Sequence, residues 1–446
     1  MSHLLKSLCP PLGALLLAWL LIPATAGAAE PPAIDSGDTA WVLVATALVL
    51  FMTIPGLSLL YAGMVRAKNA LSIFMQCFAI TSLVTVLWMA YGYSLAFDTT
   101  GQSEGQITLH SFIGSFSKAF LAGVTPTSAV GTIPESVFIC FQLTFAIITP
   151  ALIISAFAER VKFSAIMIFT AIWLTVVYLP ICHMTWSGPG ALFVDFGVFD
   201  FAGGCVVETC SGVSGLVAAL VVGRRMGYPH TPMLPHSVAL AVVGGGMLWV
   251  GWFGFNAGSA VSAGGKAGMA MLTTHVASAV AACVWMGIEW IRFGKPSALG
   301  IVTGSLAGLV AITPACGYVE LPGAMAIGAS ACVACYLFVS VLKRRFGYDD
   351  TLDVFGVHGI GGIVGTILLA CFATEAMVGK PVDMAAQLWA QTKSVAITIA
   401  WAAAGTFIVI KLIDLTMGLR VPPHVEAAGV DLDQHNEVAY SLEERV

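Results

Sequence analysis

Two ionisable side chains stand in apolar surroundings where a charge is expensive. Glu208 lies in "DFAGGCVVETCSG", residues 200–212, eight positions after Asp200, and His358 lies in "DVFGVHGIGGIVG", residues 353–365, five positions after Asp353. Inside a bilayer each such group costs at least ~2.5–3.5 kcal/mol unless it is paired or faces a cavity. Taken singly, each reads equally well as a buried polar group satisfied by its own neighbours, and each Asp as a capping carboxylate at a helix N-terminus. Taken together they suggest more. A carboxylate beside an imidazole can share a proton, and the titration then belongs to the pair.

Aromatic residues supply a second chemistry. Trp186 sits in "CHMTWSGPG", Phe141 and Phe145 are one turn apart in "FQLTF", and Phe255 and Ser259 are four apart in "WFGFNAGS". A Trp face attracts cations, the more so when partly desolvated. A nearby hydroxyl can accept an N–H. Each residue alone also fits an interfacial aromatic belt.

The elements that must position these residues are membrane helices. The 446-residue chain is 58% hydrophobic and 10% charged, with a mean hydropathy of +0.91, which excludes an ordinary soluble protein. Apolar runs of ~20 residues, the length of a span, recur too continuously for the alternation of a β-barrel. Eleven spans are expected at 39–65, 70–97, 134–157, 163–186, 202–223, 236–257, 266–291, 297–316, 321–342, 352–373 and 391–418. Spans five and ten carry the two acidic-start stretches. Five spans separate them, so the copies run in opposite directions, the inverted-repeat logic in which a site lies near the midplane between two halves. A two-fold axis in the membrane plane would bring Glu208 to His358.

Residues 1–28 read as a cleavable signal peptide, with basic His3 and Lys6, an apolar core and the small-residue exit "ATAGAA"; a retained helix is the alternative. With the mature N-terminus outside, Arg66/Lys68, Arg160/Lys162, Arg224/Arg225, Arg292/Lys295, Lys343/Arg344/Arg345 and Arg420 fall on cytoplasmic turns. The outer loops keep only isolated Lys118, Lys266, Lys380 and Lys393, a positive-inside bias. The polar tail, residues 419–446, is then cytoplasmic, and its charge and lack of apolar periodicity suggest a flexible regulatory segment. "CVAC" at 332–335 has metal-like spacing but lies in an apolar helix without a second pair, which favours packing over zinc. Nothing points to a cofactor, a metal or nucleic acid, and no nucleophile–base pair of an enzyme is visible.

With these residues in place, the chain resembles bacterial members of the ammonium transporter family, relatives of methylammonium permeases and Rhesus proteins. The resemblance rests on "FMTIPGLSLLYAGMVRAKN", "FAERVKFSA", "DFAGGCVVETCSGVSGLVAALVVGRR", "GWFGFNAGSA", "TPACGY" and "DVFGVHG", in that order from the first span to the tail. It implies an all-α polytopic fold of eleven transmembrane helices, two inverted five-helix repeats (about 39–223 and 236–373) plus a peripheral eleventh helix at 391–418, in a homotrimer with one pore per subunit. It also implies an ammonium site at Trp186, Phe141 and Ser259, a stacked gate of Phe145 and Phe255, and Asp200 as support. Relatives line the pore beyond with two histidines. His358 matches the second; Glu208 stands where most read "VVH", which puts the proton route in question. The tail resembles a segment that meets PII-type nitrogen signal proteins. An inner-membrane location facing a periplasm follows from the same likeness and the signal peptide.

Physical chemistry orders the steps. A bare ammonium ion entering a dry pore costs tens of kcal/mol in the Born limit, whereas removing its proton costs roughly 3 kcal/mol if its pKa lies about two units above ambient pH. The expected function is therefore recruitment of ammonium, deprotonation, and passage of ammonia with separate proton transfer through Glu208 and His358. The alternatives are an electroneutral ammonia channel and a membrane ammonium sensor that signals through the tail.

Overall fold

The protein is described by a computed structural model covering residues 33–440; the expected signal peptide lies outside the described residues. Ten helices among these residues are long and apolar enough to cross a membrane, and an eleventh is shorter. In chain order they are α1 (Ser36–Met64), α2 (Ala67–Phe97), α3 (Glu135–Phe157), α4 (Phe163–Trp186), α5 (Gly204–Val222), α6 (Val238–Gly258), α7 (Gly265–Phe293), α8 (Ala298–Ile312), α9 (Leu321–Phe346), α10 (Phe355–Phe372) and α11 (Met384–Met417). The α3 window is 94% buried, which makes α3 a central helix, whereas those of α9 and α11 are each 33% buried and lie toward the periphery.

Two helices depart from the expected lengths for physical reasons. α11 begins seven residues before the expected 391 because Asp383 caps it, its carboxylate accepting from Ala385 N and Ala386 N. Gln387 and Gln391 dilute the apolar signal there, yet both turn inward and donate to the carbonyls of Gly197 and Phe199. α8 stops at Ile312, and its continuation meets the start of α5: Phe201 N donates to Pro314 O at 3.1 Å. The equivalent junction at the other face joins the end of α3 to the approach to α10, where Thr351 N donates to Ala156 O and Leu352 N to Ser155 O. Paired junctions of this kind, one at each face, are what two inverted halves require.

Basic residues on the face that carries the tail are bound up in ion pairs. Arg225 bridges Asp349 and Glu159, and Arg66 also pairs with Glu159. Burial alone would push the Glu159 carboxyl up, but the two guanidiniums outweigh it and hold the group below the usual carboxylate range. Arg160, which reads in the sequence as a flanking charge, is fully buried. It donates to five groups on three segments, among them Gly223 O, Thr351 Oγ1 and Asp349 O.

In its described part, residues 419–440, the tail is not the flexible segment its composition suggests. Residues 423–435 form α12 (Pro423–Ala428) and α13 (Val430–His435), and Val421, Val425 and Val430 are buried. Polarity misleads here because two of the acidic groups are taken up inside the fold, Asp431 as a helix cap and Glu426 in an ion pair. Asp431 accepts from Leu71 N and Ser72 N at the start of α2, and Glu426 takes Arg420 and Met226 N. Removing a cap of this type costs ~0.5–2 kcal/mol. Asp431→Ala is accordingly expected to speed proteolysis of the tail by about 2–30-fold. An unchanged cleavage rate would show that Asp431 does not hold the tail down.

Candidate ammonium path through the bundle

The two acidic-start stretches share one backbone plan. Asp200 accepts from the amides of Gly203, Gly204 and Cys205 at 2.7–2.8 Å, capping α5. At the opposite face the cap of α10 is Asp350, which accepts from Val354 N and Phe355 N. This corrects the sequence expectation for Asp353, which pairs instead with Lys343 at 2.7 Å. Aligning the caps makes the spacing equal, since His358 follows Asp350 by eight residues just as Glu208 follows Asp200. Asp353 then stands opposite Gly203, and both have left-handed backbones, φ 66° and 118°. Asp is one of the few residues with a side chain that tolerates this conformation. Each cap leads into a widened helical turn, Gly204–Thr209 and Phe355–Gly359, and each turn carries its titratable residue. Widened turns of this sort re-aim side chains and recur at functional sites.

Each side chain lies about one turn, roughly 5–6 Å, inside its helix, which begins at Gly204 or Phe355. There the two meet. His358 Nδ1 and Glu208 Oε2 are 2.7 Å apart, and both residues are buried. The helices approach to backbone contact to allow it. A Cβ on Gly212 would fall 2.1 Å from Gly359 N, and one on Gly362 would fall 2.7 Å from Glu208 Cβ. Glu208 Oε1 has no hydrogen-bond partner among the described residues.

A narrow cavity of about 40 Å³ passes this pair. Its walls include Leu248, Trp252, Phe255, Tyr61, Glu208 and His358, and Asp353 stands at the tail-side end, where it also lines a wider vestibule with Lys343 and Tyr228. A water needs ~10–15 Å³ of such space, so the cavity suits a short single file of water-sized molecules. Most of its lining is apolar.

Above the cavity, on the face away from the tail, the aromatic residues come together. Phe145 and Phe255 lie ring against ring with centroids 4.3 Å apart at 33°. Phe145 also meets Phe141 and Trp186 edge-on, at 5.0 and 5.7 Å. Phe141 packs against Gly258, which places Ser259 beside it. Trp186 and Ser259 remain partly exposed, whereas Phe141, Phe145 and Phe255 are buried. Polar atoms here have definite directions. The Trp186 indole N–H donates to the carbonyl of Asp200 at 3.0 Å, and the Ser259 hydroxyl donates to Phe255 O at 2.8 Å. What remains for a ligand is the indole π-face and the lone pairs of Ser259, a set that favours a cation bearing N–H groups. The Asp200 carboxylate is spent on three amides, and its carbonyl is what orients Trp186.

Sequence reasoning missed Asp350, Trp252 and the glycine crossing. Equal spacing from each Asp to its titratable residue was the available signal for Asp350. In "CVAC", Cys332 and Cys335 are buried thiols packed beside Ala281, Trp285 and Tyr336.

Two inverted five-helix halves with an eleventh helix beside them, enclosing a largely apolar path, define a polytopic membrane transporter. Residues 40–440 match the Ammonium Transporter Family. The chain is 43% identical over 413 residues to an ammonium transporter of Aquifex aeolicus, covering 92% of this chain and 94% of that one. It is 42% identical to an ammonium transporter of Bacillus subtilis, covering 91% and 98%. Among solved structures it is similar to Candida albicans Mep2, with a TM-score of 0.79 and 33% identity over 87% of each chain. A structure titled Sensor Amt Protein matches with a TM-score of 0.82 and 26% identity over 90% of this chain and 98% of that one. The chain belongs to the ammonium transporter family.

Proposed function

We propose that this protein takes up ammonium across the bacterial inner membrane, as a homotrimer with one path per subunit and the tail in the cytoplasm. Ammonium is held at Trp186, Phe141 and Ser259, loses a proton before the Phe145/Phe255 gate, and crosses as ammonia. The proton crosses separately through Glu208 and His358, so charge moves. The observation that carries this reading is the 2.7 Å contact of a carboxylate with an imidazole beside an apolar file. An intact cation would lose its hydration there, and one hydrogen-bonding atom at a time suits neutral ammonia. The docked tail supports a further role as the surface that a PII-type signal protein meets.

The test is the transient current of the purified protein in liposomes on a solid-supported electrode after jumps of ammonium, potassium and sodium at matched ionic strength. Current with ammonium alone supports the reading. Internal alkalinisation without current would replace it with an electroneutral ammonia channel, and absence of both would favour a sensor, the role that the structural neighbour Sensor Amt Protein carries in its name. At the outer site, Trp186→Ala removes a cation–π contact of ~0.5–2 kcal/mol. The half-saturating ammonium concentration should then rise by about two- to thirtyfold. Unchanged concentration dependence would count against this site.

A further inference from the structure

Trp252 walls the cavity between the aromatic gate and the Glu208/His358 pair, its ring centroid 5.5 Å from that of Phe255. An indole has one polar atom, a donor. Here the Nε1–H does not serve the cavity; it donates at 2.9 Å to Thr313 Oγ1, just beyond the end of α8. Thr313 is fully buried. Its hydroxyl donates in turn to Leu309 O at 2.8 Å, with Asn256 Oδ1 at 3.3 Å as second acceptor. Asn256 Nδ2 donates to Thr274 Oγ1 at 2.9 Å, and that hydroxyl donates to Ala270 O at 2.6 Å. Trp252 and Asn256 of α6 thus donate to the hydroxyls of Thr313, beside α8, and Thr274, on α7, and each hydroxyl gives its own proton to a carbonyl one turn earlier. A satisfied buried chain of this kind fixes a single geometry.

The alternative for the indole is costly or wet. Without Thr313 the N–H is a buried unpaired donor, worth ~1–3 kcal/mol, and the nearest relief is to turn it into the cavity. A fixed donor there would hold water in a file that otherwise has few polar partners. We propose that Thr313 is a positioning residue that takes the Trp252 N–H out of the path, so that the indole acts as an apolar wall and the path stays dry. The inference rests on the conduction reading above for its purpose, not for its measurement.

The test uses the full chain in liposomes and measures osmotic water permeability by stopped-flow light scattering, with the ammonium-evoked current as a parallel readout. Thr313→Val should raise water permeability by about tenfold, and Thr313→Ser, which keeps the hydroxyl, should stay at the wild-type value. Trp252→Phe has no N–H to release, so adding Thr313→Val to it should change nothing further. A tight Thr313→Val protein, a Thr313→Ser protein as leaky as the valine variant, or a leak that persists in the double variant would each overturn the proposal. If Thr313→Val does not fold, the double variant still decides, because the proposal requires it to fold and remain tight. A wild-type protein that gives no ammonium-evoked current refutes the conduction reading, while the water measurement still reads the lock.

Discussion

Glu208→Gln is expected to abolish the ammonium-evoked current while leaving the protein folded. The amide has the same shape as the carboxylate and can still accept the Nδ1–H of His358 across the 2.7 Å contact, so the crossing of the two helices survives. What it cannot do is take and release a proton. If conduction requires the pair to carry the proton removed outside, the current falls to background. Internal alkalinisation that appears in place of the current would show that ammonia still crosses while its proton stays outside, so that the pair carries the proton alone. An undiminished current in Glu208→Gln would take Glu208 out of the proton path. Glu208→Asp shortens the side chain by one methylene and draws the carboxylate back from His358, and a large loss is expected there too.

The second large effect concerns the floor on which that contact stands. Gly212 lets α5 and α10 touch, and any Cβ at this position would press on backbone, 2.1 Å from Gly359 N and 2.2 Å from its Cα. Backbone cannot step aside as a flexible side chain can. Overpacking of this sort costs ~1–3 kcal/mol or more, and relief by separating the helices would pull Glu208 from His358. Gly212→Val should therefore lower transport by more than about tenfold and lower the melting temperature, both measured on purified protein. Gly246→Ala serves as a control in the same experiment, since a Cβ there meets nothing within 4 Å. Wild-type transport in Gly212→Val would show that the close approach is not needed.

The span pattern was legible because each helix must be apolar over its membrane length whatever its neighbours are. The pairing of Glu208 with His358 was legible for a related reason, since isolated charges in such helices need partners. Other features were hidden by what sequence cannot rank. Asp353 looked like the cap of α10 because it is nearest to the helix, yet its left-handed backbone turns it aside to Lys343 and leaves the amides to Asp350. Arg160 looked like a surface flank, and only the folded chain shows five acceptors converging on it. The tail looked disordered because Glu426 and Asp431 raise its charge. Their partners, Arg420 and the amides of α2, lie on other segments. Trp252 gave no signal of its own among many apolar aromatics.

The matched left-handed residues Gly203 and Asp353 have a further consequence. Along α5 and α10 the main chain is a palindrome, with the same cap, twist, widened turn and glycine contact whichever face is taken as the start. A scaffold of that kind offers a traveller no sense of direction. Whatever one-way character these two helices have must be written in side chains, where glycine at one mouth answers aspartate at the other and a carboxylate at the centre answers an imidazole. Polarity here is an inscription on a symmetric frame, and exchanging the paired residues is the way to ask whether it can be rewritten.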